Sequence, residues 1–121
     1  MSDRIFFDSN ILLFHYSATE PEKKSKVFSI TKKHDVYISL QVINEFINVS
    51  RKKFKVPIES IELSLAEVFN NYMIYDNSIE TVNKTLSICK TYTYSYYNAQ
   101  IIAATLLSNC KILYTEDLHH Q

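Results

Sequence analysis

Four short runs of β-branched and aromatic residues alternate with segments of helical periodicity, and this alternation constrains the fold more than any other feature. The runs are Ile5–Phe7, Val36–Ile38, Tyr72–Tyr75 and Cys110–Tyr114. Short apolar runs of this kind are typical of strands that are buried on both faces. Strand–helix order repeated along a chain favours a parallel sheet with helices on both faces. We therefore predict a single α/β domain over residues 1–121, a three-layer α/β/α architecture with a central parallel sheet of about four short strands.

The composition is that of a globular domain without a long-range attraction for polyanions. Hydrophobic residues make up 46% and charged residues 21% of the chain, which permits a packed core. Thirteen basic residues cancel thirteen acidic ones, so nucleic-acid binding would depend on local patches or a metal. The two cysteines lack C-x-x-C spacing and indicate reduced thiols in a cytoplasmic protein. No apolar run approaches the ~20 residues of a membrane span, so no membrane association is expected.

The sequence contains no glycine, which excludes one class of nucleotide site. P-loop and Rossmann phosphate sites need glycine because the backbone must approach the phosphate closely. Tight turns must instead be made by Asn, Asp and Ser. We expect Asn109, which follows the predicted helix 98–107, to adopt the left-handed conformation that glycine usually supplies.

Cap residues set the predicted bounds of the central helices. Ser39 is expected to cap a helix over 40–54, and Pro57 to open a helix over 58–71. Asp76, Asn77 and Ser78 precede a further helix from Ile79 to about Lys90. In this last helix the predicted inward-facing residues are Ile79, Val82, Leu86 and Cys89.

Carboxylates follow both the first and the last predicted strand. Asp8 ends the first, where by itself it is typical of a helix cap, and Glu116 and Asp117 end the last. Parallel strands bring these ends to one edge of the sheet, and Glu45 and Asn98 lie on helices that could face it. Two carboxylates 4 Å apart repel by roughly 4 kcal/mol at an effective dielectric near 20, and a hard divalent cation offsets this. The pattern predicts a Mg²⁺ or Mn²⁺ site suited to phosphodiester hydrolysis.

Four segments together resemble the PIN-domain ribonucleases, and among these the VapC-type toxins of bacterial and archaeal toxin–antitoxin pairs. They are Phe6–Leu12, Val42–Phe46, Tyr96–Ala104 and Leu113–Leu118. The resemblance covers nearly the whole chain, with the motifs in the family's order. It implies a Mg²⁺- or Mn²⁺-dependent endoribonuclease that hydrolyses RNA, forms a homodimer, and is inhibited by a small VapB-like antitoxin that occludes the site.

The same resemblance implies a role for each matching residue. Asp8 would be the first metal ligand, Glu45 the acid carried on a helix, Asn98 the third acidic position and Asp117 the last. The implied metal ligands are Asp8, Asn98 and Asp117. The implied supporting polar residues are Asn10, Thr115 and Glu116.

The chain departs from the family pattern at two places. Position 98 carries Asn where the family has Asp, and an amide lacks the charge and half the ligand oxygens, so activity should be impaired. An engineered inactivating change and a natural weakened variant both explain this, and the toxicity of an active enzyme favours the first. The family also continues past Asp117 with a turn and usually one more short strand. We therefore expect that this chain, which stops at Gln121, lacks its last short strand.

Two other functions are compatible with such a fold. A catalytically silent PIN-fold interaction module is one, because Asn98 weakens the metal site. A phospho-receiver domain is the other, but it would need paired acids after the first strand, where Asp8 is followed by Ser9.

Candidate RNA contacts fall in two clusters. The basic one contains Arg51, Lys52 and Lys53, which could equally form a solvated helix end. The aromatic one contains Tyr94 and Tyr96, which could stack on RNA bases or pack a loop onto the core.

Overall fold

The computed structural model describes residues 3–15 and 21–115. The elements of these residues are β1 (Arg4–Phe7), α1 (Ser9–His15), α2 (Pro21–Lys33), β2 (Asp35–Ser39), α3 (Leu40–Lys52), α4 (Ile58–Asn71), β3 (Met73–Tyr75), α5 (Ile79–Thr91), α6 (Tyr96–Leu107) and β4 (Ile112–Tyr114). The predicted strands all form, each within two residues of its predicted bounds. No helix among the described residues has the length and hydrophobicity that crossing a bilayer would require.

The four strands form one parallel sheet in the order β3-β2-β1-β4. Ile5 in β1 lies opposite Val36 in β2 and Ile112 in β4, and Tyr37 in β2 lies opposite Met73 in β3. Since β1 is central, its residues Ile5 to Phe7 are buried on both faces. The sheet and its covering helices confirm the predicted three-layer α/β/α class.

Local sequence explains where the main helices begin and end. The Ser39 hydroxyl accepts a hydrogen bond from the Val42 amide at 3.2 Å, as predicted for a residue that caps α3. Ser78 and Thr81 form a reciprocal capping box at the start of α5. Asn109 has a φ of 61°, which confirms the predicted left-handed residue after α6.

The main core lies between the sheet and the helices that follow β1 and β2. Phe6 and Phe7 are fully buried, and α3 contributes Val42 and Phe46. Each such side chain stabilises the fold by about 1.5–3 kcal/mol through burial. This core fixes the carboxyl ends of β1 and β2, from which α1 and α3 begin.

The predicted inward face of α5 is wrong. The residues that α5 buries are Thr81, Thr85 and Ile88, whereas Ile79, Val82 and Leu86 are 80%, 40% and 48% exposed. Ile88 packs on Ala99 and Ala103 of α6, and Cys89 is only partly buried beside them. The small alanines leave room for Ile88 between the two helices, and Ile79, Val82 and Leu86 stay exposed.

Candidate active site at the carboxyl edge of the sheet

The strand order places a crevice at the carboxyl ends of β1 and β4. The chain runs from β1 to β2 and β3 on one side, while β4 lies on the other side of β1. Open α/β sheets place ligands at such a reversal of strand order. Asp8 directly follows β1 and Thr115 directly follows β4. The Asp8 amide donates to the Tyr114 carbonyl at 3.1 Å and holds the two strand ends together.

Asp8 is the centre of a hydrogen-bond network that joins three parts of the chain. Its side chain is buried, with 1% of the residue exposed. Its Oδ2 atom accepts a hydrogen bond from Thr115 Oγ1 at 2.7 Å. Its Oδ1 atom accepts from the Ser9 amide at 2.6 Å and from the Tyr97 hydroxyl at 3.3 Å, with Ser9 Oγ at 3.4 Å. Residues more than 85 positions apart therefore converge on one carboxylate.

The hydrogen bonds of the Asp8 side chain differ from those of a residue that only caps a helix. A capping side chain accepts from the second or third amide of the helix. The Asp8 carboxylate instead bonds the first amide, that of Ser9, and the backbone carbonyl of Asp8 accepts from Ile11 and Leu12. The carboxylate thus bonds Thr115 and Tyr97 in addition to the first amide of α1.

Tyr97 bonds Asp8 and lines the same cavity as Glu45. Its hydroxyl also lies 3.2 Å from Ser9 Oγ, so the phenol is held by two residues of the β1–α1 turn. Burial raises the pKa of Tyr97 well above its usual value near 10, and the negative charges of Asp8 and Glu45 raise it further. The hydrogen bond with Ser9 opposes this rise only in part. Both carboxylates therefore oppose deprotonation of the Tyr97 hydroxyl.

An open cavity of about 630 Å³ adjoins this network. The first turns of α3, from Leu40 to Asn48, form one wall and include Glu45. Asp76 and Asn77, which follow β3, form another, and Tyr97 lies at the side that faces Asp8. The volume is within the range of small-ligand sites, roughly 300–1,000 Å³.

Four of the predicted site residues lie at this edge. Asp8 and Thr115 are in contact, Glu45 and Tyr97 line the same cavity, and Asn98 follows Tyr97 directly on α6. The backbone N–H of Asn98 donates to Ser95 Oγ at 3.2 Å, and this hydrogen bond caps the first turn of α6. Asn10 lies in the first turn of α1, two residues after Asp8. Glu116 and Asp117 lie outside the described residues.

The two predicted RNA-contact clusters occupy different places. Arg51 and Lys52 lie at the end of α3, about 9–11 Å further along the helix axis than Glu45 and away from the carboxyl edge, and Lys53 follows. Tyr94 and Tyr96 are exposed at the start of α6, beside the turn that carries Asn98. The aromatic cluster directly precedes Tyr97, which bonds Asp8.

The donor atoms at this edge are all oxygens, which suits a hard divalent cation. Asp8 Oδ2 accepts one hydrogen bond within the described residues, so its second lone pair can still bind a cation. Across residues 3–15 and 21–115, however, no three His, Cys, Asp or Glu side chains lie close enough to hold a metal. Asp8 and Glu45 fit the predicted site in chemistry, and a third carboxylate would have to come from outside these residues.

Sequence reasoning missed several residues of the site. Ser9 and Tyr97 bond Asp8, and Gln41, Asp76 and Asn77 line the cavity. Ser9 and Tyr97 stand inside the segments that resemble the ribonuclease family, directly beside Asp8 and Asn98. Gln41 and Asn77 carry no such indication, because nothing in the linear pattern connects the start of α3 with the β3–α5 turn.

Comparison with known proteins gives structural matches only. No family model matches the sequence. No curated protein is similar to it at a significant level. Among solved structures, a toxin–antitoxin complex from Klebsiella pneumoniae matches with a TM-score of 0.68 and 21% identity, over 89% of this chain and 82% of that one.

Two further structures match over most of their length. VapBC2 from Rickettsia felis, bound to a DNA fragment from its promoter, gives a TM-score of 0.66 at 16% identity, over 90% of this chain and 85% of that one. VapC20 from Mycobacterium tuberculosis, a Sarcin-Ricin loop cleaving toxin, gives a TM-score of 0.72 at 13% identity, over 93% of this chain and 91% of that one. At these identities the likeness establishes the fold, and the chain has the PIN-like α/β/α fold of VapC-type toxins.

The strand order also excludes the phospho-receiver alternative. Receiver sheets have the order 2-1-3-4-5, in which β1 lies between β2 and β3. Here β1 lies between β2 and β4, and β3 is at the edge beyond β2.

Proposed function

We propose that this protein is a metal-dependent endoribonuclease that acts as the toxin of a toxin–antitoxin pair. The observation that carries the proposal is the buried Asp8 carboxylate at the point where strand order reverses, bonded by Thr115 and Tyr97. The fold shared with VapC20, which cleaves the Sarcin-Ricin loop, supports the ribonuclease assignment.

Each residue at the edge has a defined task in this proposal. Asp8, Asn98 and Asp117 would hold Mg²⁺ or Mn²⁺, and Glu45 would be the further acid. A divalent cation bound there would supply Lewis-acid chemistry, which activates water and stabilises negative charge during phosphodiester hydrolysis. Thr115 keeps Asp8 in its orientation, since its hydroxyl donates to Oδ2. Asn10 and Glu116 are the remaining supporting polar residues of the proposal.

Asn98 weakens this site without removing it. An amide offers one neutral ligand oxygen where a carboxylate offers two charged ones, so cation affinity falls. This substitution favours a second candidate, a catalytically silent interaction module that uses only its partner surfaces. Titration with Mn²⁺ separates the two, because a cation that binds the folded state raises the melting temperature with its concentration.

Restoring the carboxylate tests the ribonuclease activity directly. Asn98→Asp should raise Mg²⁺- or Mn²⁺-dependent cleavage of single-stranded RNA well above that of the unchanged protein. The matched control is Asp8→Asn in the same Asn98→Asp background, which should return cleavage to the background level. Equal and negligible cleavage by all three proteins with metal present contradicts the proposal.

The proposed partners are a VapB-like antitoxin, an RNA substrate and a second copy of this chain. Toxin–antitoxin complexes among the structural matches support the first. Exposed Tyr94 and Tyr96 beside the site offer stacking surfaces for RNA bases. The exposed stripe of Ile79, Val82 and Leu86 on α5 supports the homodimer, because its spacing matches a seam between two packed helices.

A further inference from the structure

The end of α3 and the loop after it carry a cluster of cations that the proposed hydrolysis does not use. Four cations surround one phenylalanine in the basic loop, which is Arg51, Lys52, Lys53, Phe54 and Lys55, and all five residues are exposed. No acidic residue stands between Glu45 and Glu59 in the sequence. Among the described residues, none of the four cations forms an ion pair. The basic loop is therefore an uncompensated positive patch on a chain whose formal net charge is zero.

Backbone hydrogen bonds hold the basic loop in a defined conformation. The Phe54 amide donates to the Val49 carbonyl at 3.3 Å, and the Val56 amide donates to the Ser50 carbonyl at 2.9 Å. Between these bonds Lys55 has a φ of 56°, a left-handed conformation that is unfavourable for a residue with a Cβ atom. Residues strained in this way persist where the surrounding structure determines them, and they are frequent at ligand clamps. The cations are thus presented from a fixed turn and not from a frayed helix end.

Phe54 adds an aromatic surface to these cations. Its side chain is 57% exposed, and the Lys53 ammonium lies 5.6 Å from the centre of its ring. Proteins that bind single-stranded nucleic acids combine cations for the backbone with aromatic rings on which bases stack. A membrane surface fits less well, because one aromatic side chain offers little apolar area for an anchor. Insertion of Phe54 would also break the contact with Lys53 or carry its ammonium into hydrocarbon, which is costly.

The basic loop lies far from the candidate active site along α3. This helix begins at Leu40, directly after the carboxyl end of β2, and Lys52 lies about 18 Å further along the helix axis. That distance exceeds the span of one nucleotide, so an RNA that contacts both places extends beyond the bond at Asp8. Contacts to phosphates position a nucleic acid without reading its sequence. The basic loop is therefore suited to hold RNA and not to select the bond that is cut.

We propose that the basic loop anchors the RNA substrate away from the cleaved bond, with its four cations on backbone phosphates and Phe54 stacked on one unpaired base. This surface rests on the proposed ribonuclease function, because it supplies affinity for the same RNA. It gives a chain of zero net charge a local attraction for a polyanion that its overall charge does not provide. Since every nucleotide carries the same phosphate, the anchor strengthens binding of all sequences alike.

The salt dependence of binding tests the phosphate contacts. Affinity for a fluorescent single-stranded RNA of mixed sequence is measured by anisotropy with EDTA, so that no cleavage occurs, over a series of salt concentrations. Each phosphate contact with a single strand contributes about 0.7 to the slope of log affinity against log salt concentration. Lys52→Gln combined with Lys53→Gln should therefore reduce this slope by about 1.4. A slope equal to that of the unchanged protein overturns the anchor.

The matched control removes two lysines elsewhere. Lys24→Gln combined with Lys84→Gln takes the same charge from exposed positions on α2 and α5, and it should leave the slope unchanged. An equal reduction in both double variants contradicts the proposal, because it would show an effect of total charge and not of the basic loop.

The stacking contact has its own pair of variants. Phe54→Leu keeps an apolar side chain but removes the ring, and it should weaken RNA binding about fivefold or more. Phe28→Leu is the control, because Phe28 on α2 is also 50% exposed and has the Lys32 ammonium 5.0 Å from its ring centre. This control should leave the affinity unchanged. A loss of the same size in both variants contradicts the stacking on Phe54.

Vesicles test the alternative of a membrane surface. Vesicles of phosphatidylcholine and phosphatidylserine should not carry the unchanged protein with them in sedimentation at the salt concentrations where RNA binds. Sedimentation with the vesicles that Lys52→Gln with Lys53→Gln abolishes, together with an unchanged slope for RNA, would assign the basic loop to anionic lipid and overturn the RNA anchor.

Cleavage separates failure of the anchor from failure of the proposed function. If Asn98→Asp cuts RNA with Mn²⁺ while the loop variant keeps the full slope, the ribonuclease stands and the anchor is wrong. If the slope falls as expected but no form cuts RNA, the basic loop binds RNA and the ribonuclease assignment is wrong. If no RNA binds and none is cut, both are wrong.

Discussion

The Tyr97 hydroxyl donates a hydrogen bond to Asp8 Oδ1 at 3.3 Å, although the two residues are 89 positions apart in the sequence. The same hydroxyl lies 3.2 Å from Ser9 Oγ. One phenol therefore connects the start of α6 to the β1–α1 turn, and it holds the Asp8 carboxylate of the proposed metal site.

Replacing Tyr97 by Phe should destabilise the fold modestly. The change removes the donor to Asp8 and the contact with Ser9, and a single hydrogen bond contributes about 0.5–1.5 kcal/mol, somewhat more when it is made to a charged group. The free energy of unfolding in urea should fall by about 1–2 kcal/mol. Tyr96→Phe, a matched change at the exposed neighbouring tyrosine, should leave it unchanged. A loss of the same size in both variants would show that the contacts of Tyr97 contribute nothing specific.

Stability should also fall at alkaline pH. The folded-state pKa of Tyr97 is raised by burial and by the charges of Asp8 and Glu45, and burial raises the pKa of Cys110. When the folded pKa exceeds the unfolded one, the unfolded state loses its proton first, so stability is complete below the unfolded value and declines as pH rises above it. Melting temperatures should be flat to about pH 8 and should fall between about pH 9 and 11. The fall should be smaller in Tyr97→Phe, and an equal fall would contradict the contribution of Tyr97.

Removing the charge of Asp8 should abolish stabilisation by metal. In Asp8→Asn the oxygen left for a cation is neutral, so added Mn²⁺ should no longer raise the melting temperature. The variant should also lose about 1–3 kcal/mol of stability without metal, because the Ser9 amide and the Thr115 hydroxyl lose charged acceptors. Asp35→Asn, at the opposite end of the sheet, is the control and should keep the Mn²⁺ response. Persistence of that response in Asp8→Asn would place the cation elsewhere.

The sheet could be predicted because strand positions depend on local apolar runs. The position of Asp8 at the carboxyl edge could be predicted because the end of a strand determines where the next residue lies. Thr115 lies beside Asp8 because β4 pairs in register with β1 and brings the two strand ends together, and its supporting role stays a prediction. Gln41 and Asn77 could not be predicted, because their proximity depends on how α3 and the β3–α5 turn pack. The roles of Asn98 and Asp117 remain predictions, and Asp117 lies outside the described residues.

The error at α5 has the same cause. Helical periodicity places Ile79, Val82 and Leu86 on one face of α5, and the structure has them on one face. Periodicity does not indicate whether another element covers that face. Ile88 packs against Ala99 and Ala103 of α6, and Thr81 and Thr85 are buried on the same side of α5, so the face with Ile79, Val82 and Leu86 is left exposed.

That outward face leads to a prediction about oligomeric state. Ile79, Val82 and Leu86 lie within an arc of about 60° at 100° per residue and form an apolar stripe. If two copies pair along this stripe, Leu86→Glu places a charge in an apolar seam, where an unpaired charge is strongly unfavourable. Sedimentation should then show a dimer for the unchanged protein and a monomer for the variant. Ser87→Glu introduces the same carboxylate about 100° away around the helix and should remain dimeric. A dimer that survives Leu86→Glu would move the interface to another surface, and a monomeric unchanged protein would remove the homodimer from the proposed function.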